Sequence, residues 1–134
     1  METAFDPAFG EAWNASQCLS ALMLPECRLL IARKEQGAVI GFAISRWVLE
    51  TEELLMIAVH PDCQRQNIGT TLIEEVVSRA SEAGREKLFL EVRDSNGAHH
   101  FYENHGFAAI GRRPQYYRGA NGERADAITM AREL

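Results

Sequence analysis

Residues 54–72, LLMIAVHPDCQRQNIGTTL, decide the fold. A short apolar run, Leu54 to Val59, ends at a His-Pro-Asp turn, and a polar loop then opens onto a helix expected to begin near Ile68. A run of this length bounded by a turn reads as a strand; because it is apolar throughout, it is expected to be central and covered on both faces. The helix start behind it leaves about four N–H groups without intrahelical partners, and the macrodipole adds a partial positive charge there. Strand, loop and helix N-terminus in that order make a cradle for an anion such as a pyrophosphate. Two familiar versions are excluded, since the chain has neither GxxxxGK[ST] nor a GxGxxG in a dinucleotide-binding unit. What remains is Gln64-x-x-Asn67-x-Gly69. The plainer alternative is a helix N-terminus that holds no ligand.

Working outward, Asn14 and Gln17 make a start like a capping box for a helix carrying Cys18, Leu19, Leu22 and Met23, which Pro25 ends. Arg28 to Arg33 and Ala38 to Leu49 read as two strands around the turn KEQG. After Gly69, Leu72, Ile73, Val76, Val77 and Ala80 fall on one helical stripe, with Gly84 past its end. In the segment Leu88 to Arg93, Leu88, Leu90 and Val92 face one way and Phe89, Glu91 and Arg93 the other. Ser95 is placed to cap a second helix in which Ala98, Phe101, Tyr102 and His105 share a face, closed by Gly106. Segments 107–113 and 125–131 read as a last pair of strands joined by a polar loop. The order predicts an α+β fold around a mixed, mostly antiparallel sheet flanked by helices.

Composition fits one small enzyme. At 134 residues and 46% hydrophobic, with no linker-like stretch or internal repeat, residues 1–134 read as a single domain. The N-terminus lacks a basic and an apolar leader region, and no run approaches the 18 or so apolar residues a membrane span needs, so a soluble, cytoplasmic protein with no membrane partner is expected. Cys18, Cys27 and Cys63 are an odd number without CxxC spacing, which argues for free thiols over a disulfide framework or zinc site. A net charge of −5, with a pI of about 5.4, disfavours nucleic acid as the main partner and suits a basic peptide.

The phosphate loop, GEAW at 10–13, KLFLEVRDSN at 87–96, FYENHGF at 101–107, RRPQYY at 112–117 and GERADAITM at 122–130 together resemble successive blocks of the GNAT superfamily of N-acetyltransferases. Within it, the chain is most similar to the RimI branch, which acts on ribosomal-protein alanine. The resemblance covers most of the chain from residue 10 onward and implies acetyl-CoA as cosubstrate, with no metal. It also implies a protein or peptide N-terminus, a ribosomal protein among the candidates, as acceptor. GEAW resembles the end of the first family helix, so the first family strand is expected to be missing. Strand 28–33 then has an edge that either pairs with a second chain or a loop, or is covered by residues 1–8.

Acetyl transfer to an amine needs a neutral amine, an oxyanion stabiliser and a proton for the departing thiolate. By resemblance, the backbone of Met56, Ile57, Ala58 and Val59 runs beside the pantetheine and one of its N–H groups polarises the thioester. The loop of Gln64, Arg65, Gln66, Asn67, Ile68, Gly69 and Thr70 holds the pyrophosphate, and Asn96 contacts the cofactor. Two departures stand out: Asn67 replaces the usual glycine, and one residue is missing between Asn96 and Tyr102. Asn tolerates positive φ better than other residues bearing a Cβ, so the loop is expected to form. Glu91 sits in the apolar context LFLEV, where a carboxylate is costly without a partner or a purpose, and the resemblance makes it the general base. A buried Glu paired with a neighbouring Arg is the structural alternative, and Glu53 is a rival base. Tyr102 matches the general acid of the family, with a core tyrosine as its alternative.

His99 and His105 are spaced neither i+3 nor i+4, adjacent histidines point apart on a helix, and no Cys or paired carboxylate joins them at ligand spacing, so surface histidines and no metal are expected. The stretch RRPQYYRGANGER reads either as a solvated loop or as part of the acceptor site, where the resemblance places Tyr116 and Tyr117 in a peptide-binding wall. Three functions therefore stand: a RimI-like N-terminal acetyltransferase, a GNAT enzyme for a small amine, antibiotic or lysine side chain, and a non-catalytic acyl-CoA-binding module. The second is disfavoured by the C-terminal blocks, the third by the presence of both Glu91 and Tyr102.

Overall fold

The computed structural model describes residues 25–63, 67–94, 97–118, 122 and 124–134. The helix expected between Asn14 and Pro25, and the segment 1–8, lie outside the described residues. Six strands form one sheet: β1 (Cys27–Arg33), β2 (Val39–Val48), β3 (Thr51–Val59), β4 (Lys87–Arg93), β5 (Ala108–Arg118) and β6 (Arg124–Glu133). They lie in the order β1-β2-β3-β4-β6-β5, every neighbouring pair antiparallel except β3 with β4. Helix α1 (Ile68–Glu82) links β3 to β4, and the short α2 (Ala98–Glu103) links β4 to β5. A crossover helix is what two parallel neighbours require. The mixed, mostly antiparallel sheet with two helices is the α+β class expected.

The KEQG turn closes as anticipated. Lys34 N–H donates to Ala38 O at 2.9 Å and Gly37 N–H to Lys34 O at 2.8 Å, with Gly37 at φ 95°. Leu54 to Val59 are all buried, which fits a strand covered on both faces. The α1 stripe also holds: Leu72, Ile73, Val76 and Ala80 are buried, and Gly84 follows the helix at φ 84°. These residues join Leu88, Leu90 and Val92 of β4 and Tyr102 of α2 in one core cluster. A smaller cluster of Ile44, Leu55 and Met56 packs on the opposite face with Cys27 and Phe42.

One irregularity organises the sheet. Ile44 pairs with Met56 but Ser45 with Leu54, so Leu55 is an extra residue in β3. Plain alternation sets Leu54 and Ile57 on opposite faces; the bulge resets the register, and both enter the helix-side core.

Two expectations need comment. The last two strands extend well beyond 107–113 and 125–131, because Pro114 to Tyr116 form a bulge within β5 rather than a loop: Arg113 pairs with Ala127 and Tyr117 with Ala125. Four residues of β5 thus span two of β6, which hides the strand period from a reading of alternation. The N-cap of α2 is Gly97, and Ser95, expected to cap this helix, lies outside the described residues. Among the described residues β1 pairs only with β2 and forms one edge of the sheet, and no helix is long and apolar enough to cross a membrane.

Candidate active site

The parallel strands β3 and β4 part company early. Only Thr51, Glu52 and Glu53 pair with Lys87, Leu88 and Phe89, although both strands run on. Above Glu53 the edge of β3 that faces β4 has no ladder partner among the described residues, while its other edge stays paired with β2 up to Val59. The bulge at Leu55 begins where pairing stops, and a bulge bends and twists its strand away from its neighbour. Backbone groups of Met56, Ile57, Ala58 and Val59 thereby line the opening, on a segment whose side chains are buried.

The end of that strand leads to the anion cradle. Asn67 caps α1 in the left-handed conformation, φ 60° and ψ 24°, and makes no side-chain cap bond. The expectation that Asn substitutes for glycine at positive φ is met. Its carbonyl already accepts from Thr71 N–H at 3.0 Å and Thr71 Oγ1 at 3.1 Å, so the helix begins well formed while its first amides keep no side-chain cap. Ile68 and Thr70 are half-buried and Gly69 is buried. Gly41 of β2 lets α1 approach this closely: a Cβ there would lie 3.0 Å from Ala58 O, 3.1 Å from Ile68 Cγ2 and 3.2 Å from Leu72 Cδ1. Gln64, Arg65, Gln66 and Asn96 lie outside the described residues.

The two candidate bases differ in how they are held. Glu53 accepts from Arg46 Nε at 3.2 Å and Nη2 at 3.0 Å. Glu91 is held loosely: Thr129 Oγ1 lies 3.5 Å and Arg113 Nε 3.7 Å from its Oε2, and its side chain is 22% exposed. The structural alternative, a Glu beside an Arg, therefore describes the geometry without excluding a role. Glu53 is the register partner of Phe89, which places it on the face of Glu91, lower in the sheet. Both Glu53 and Phe89 line an open cleft of about 390 Å³ with Glu26, Arg46, Trp47, Val48 and Thr51.

A third carboxylate escaped the sequence reading. Glu52 is fully buried and accepts from Arg28 Nη1 at 2.5 Å and Ser45 Oγ at 2.6 Å, with Arg85 Nε at 3.9 Å from its other oxygen. The guanidinium groups of Arg28 and Arg85 stand 5.0 and 4.7 Å from the Trp47 ring. This network ties β1, β2, β3 and the end of α1 together below the point where β3 and β4 separate. The signal that finds it is the pair Glu52-Glu53 once β3 is extended down to Thr51, since neighbours in a strand face opposite ways.

Tyr102 is wholly enclosed, with the rings of Phe101 and Phe107 at 5.2 and 5.7 Å edge-on. Burial pushes its phenol well above the ordinary tyrosine range. It belongs to the core on the helix side of the sheet, whereas Glu91 alternates with the core residues Leu90 and Val92 and stands on the other side.

The metal argument needs amending. His100 Nδ1 lies 3.3 Å from Glu103 Oε1, and His99, His100 and Glu103 bring ligand atoms within 4.8 Å of one another. A carboxylate at helical spacing does join the histidines. It is a single carboxylate, Glu103, three residues after His100, rather than a pair.

Along β4 and β5, Arg113 stands 5.2 Å from the Tyr116 ring and Arg93 5.2 Å from that of Tyr117, and the two tyrosines meet edge to face at 5.2 Å. Tyr116 is 51% exposed. Arg112 Nη1 donates to Asp94 Oδ2 and to Asp126 Oδ2, each at 2.6 Å, a set of long-range partners that no local motif announces.

The acetyltransferase (GNAT) family pattern matches residues 1–107. The chain is 38% identical over 97 residues to the [ribosomal protein bS18]-alanine N-acetyltransferase of Haemophilus influenzae and 42% identical over 98 residues to that of Escherichia coli, each alignment covering 72% of this chain. Each alignment spans 66% of the relative's length. The crystal structure of the Escherichia coli ribosomal-protein-S18-alanine N-acetyltransferase superposes with a TM-score of 0.82 at 34% identity, covering 96% of this chain and 83% of that one. On this evidence the chain belongs to the acetyltransferase (GNAT) family.

Proposed function

We propose that the protein transfers an acetyl group from acetyl-CoA to the α-amine of a protein N-terminus, with the ribosomal protein named for its relatives as the leading acceptor. The observation that carries this reading is the separation of β3 from β4 between an uncapped helix N-terminus on one side and Glu91 on the other. That opening suits the cosubstrate. Backbone along a strand that has diverged from its neighbour suits an amide-bearing arm laid alongside it, and helix amides suit a pyrophosphate. The residues that would hold it are Met56 to Val59 and the loop from Gln64 to Thr70, with Asn96 near the start of α2. When bound, acetyl-CoA supplies the activated acetyl thioester.

The protein's own groups have defined tasks in this reading. A β3 N–H donates to the carbonyl oxygen where negative charge develops. Glu91 takes the proton from the incoming ammonium, directly or through water, and its loose contacts leave the carboxylate available. Tyr102 O–H gives a proton to the departing sulfur; an ordinary phenol already holds its proton at neutral pH, and burial, which raises its pKa, makes it a weaker acid, so the role rests on its match to the general acid of the family.

The acceptor is an α-amine rather than a lysine. The reference α-amine pKa is about 7.7 to 8.0 against about 10.4 for lysine, so lysine asks about 3.7 kcal/mol more to shed its proton, at about 1.36 kcal/mol per unit. One carboxylate suits the smaller task. The test uses one peptide in two forms with acetyl-CoA, read by mass spectrometry: a free α-amine without lysine, or a blocked N-terminus with one lysine. Faster acetylation of the first is expected; the reverse moves the chain to another branch of the family.

A further inference from the structure

The bulge in β5 is held by a clamp whose parts come from three strands. Asp126 of β6 uses both carboxylate oxygens: Oδ2 accepts from Arg112 Nη1 at 2.6 Å, and Oδ1 accepts from the backbone N–H of Gln115 at 2.9 Å. The same Arg112 nitrogen reaches Asp94, just past the end of β4, at 2.6 Å. Asp94 N–H in turn donates to the Asp126 carbonyl at 2.9 Å, and Arg124 Nη1 reaches Gln115 O at 3.4 Å.

Gln115 needs this support. It sits at φ 53°, where a residue with a Cβ is disfavoured, and Pro114 before it has no N–H to tie to the ladder. What the clamp positions is Arg113, just before the bulge, and Tyr116, the last residue within it. Arg113 lies 3.7 Å from Glu91 and 5.2 Å from the ring of Tyr116, which is half exposed beside it. The side chains of Asp126 and Asp94 are only 28% and 37% exposed, and a charged network sharing one guanidinium holds geometry better than a lone surface pair.

We propose that Asp126, with Arg112 and Asp94, is a positioning residue for the acceptor peptide, fixing the β5 bulge so that Arg113 and Tyr116 form the wall beside Glu91. This inference rests on the acetyl-transfer reading above and adds to it the element that sets acceptor affinity. The Gln115 amide and then the Arg112 guanidinium hold Asp126 below the usual carboxylate range, so the clamp stays charged at neutral pH.

Two variants test it in steady-state kinetics with acetyl-CoA and the free-N-terminus peptide the wild type acetylates fastest. Asp126→Ala removes both contacts; Asp126→Asn keeps an oxygen for the Gln115 amide and loses the charge that faces Arg112. Asp126→Ala is expected to raise the peptide KM about tenfold or more, equivalent to about 1.4 kcal/mol. Asp126→Asn falls between it and the wild type, and both keep the KM for acetyl-CoA within about twofold. Hydrogen exchange across residues 113–117 should quicken in Asp126→Ala while β1 to β4 stay protected. An unchanged peptide KM, or equal rises in both KM values, overturns the clamp alone. A raised peptide KM without faster exchange shows direct contact and overturns positioning. A wild type that acetylates no N-terminal peptide sinks the activity itself, and the clamp with it.

Discussion

In the proposed reading, the cofactor side and the acceptor side of the gap between β3 and β4 are built from different materials. On the proposed cofactor side the groups are backbone, those of β3 beyond its bulge and the first amides of α1. Side chains matter there chiefly by staying out, as Gly41 shows where α1 comes down on β2. On the acceptor side the lining is side chains drawn from β4, β5 and β6: Glu91, Arg113 and Tyr116, supported by Arg112, Asp94 and Asp126. A backbone site recognises what every acyl-CoA shares and tolerates substitution outside its tight contacts. A side-chain site is free to vary with the acceptor. The first side should therefore fail through steric intrusion, the second through loss of one chemical group.

The largest effect expected is on the chemistry that spans both sides. Glu91→Gln keeps the shape of the carboxylate and removes its basicity, and Tyr102→Phe removes one hydroxyl, so each should lower turnover by roughly 10²-fold or more with little change in acetyl-CoA binding. Glu53→Gln is the control, since its carboxylate already holds Arg46 through two donors. Loss of activity in Glu53→Gln with Glu91→Gln still active assigns the base to the wrong carboxylate. A Tyr102→Phe enzyme with full kcat leaves Tyr102 as a core residue, which its enclosure between Phe101 and Phe107 already makes a sound packing role.

Next comes steric intrusion at Gly41→Ala. The nearest atom to the new Cβ is a backbone oxygen, Ala58 O at 3.0 Å, which cannot swing aside as a side-chain tip can. Overpacking of this kind costs about 1–3 kcal/mol. Because Ile68 and Leu72 are the other atoms in the way, the strain falls on the start of α1. Calorimetry should show weaker acetyl-CoA binding along with a lower unfolding temperature. Full affinity and full stability together would mean that α1 is not pinned at its first turn.

That contrast also explains what the sequence revealed. The cofactor side is local, so its rules are local. A short apolar run, a Pro-Asp turn and an Asn in place of Gly were enough to anticipate the central strand, the helix starting at Ile68 and the left-handed Asn67. The acceptor side is assembled across long stretches of chain. Nothing in RRPQYY announces that Gln115 adopts positive φ, because the group that stabilises it, Asp126, lies eleven positions on in another strand. Glu52 was missed for a related reason: its partners Arg28, Ser45 and Arg85 converge only once four elements have packed.

A smaller effect concerns the titration of Tyr102. Burial raises the Tyr102 pKa in the folded state, so the neutral phenol is favoured by folding. That contribution is fully present below the ordinary tyrosine pKa of about 10 and is lost as pH climbs above it, because the unfolded chain then releases a proton the folded one retains. Tyr102 should gain phenolate absorbance only with unfolding. Tyr102→Phe should flatten the alkaline fall in stability. An early, reversible titration of Tyr102 in the folded protein would show solvent reaching its hydroxyl.

The smallest effect is expected at Asn67→Gly, and its smallness is the point. The left-handed conformation, φ 60° and ψ 24°, suits glycine sterically, so the substitution relieves a modest backbone preference. Glycine also gives the unfolded chain more freedom, which costs roughly 0.4–1 kcal/mol and works in the opposite direction. The two terms nearly cancel, and unfolding should move little. Asn67 makes no side-chain cap bond, so no hydrogen bond to the helix is lost. Acetyl-CoA affinity should hold or tighten, because the amides that remain are the ones a pyrophosphate uses and a side chain has been withdrawn from beside them. Marked weakening instead would assign the Asn67 carboxamide a contact of its own with the cofactor, and the cofactor side would then depend on a side chain as the acceptor side does.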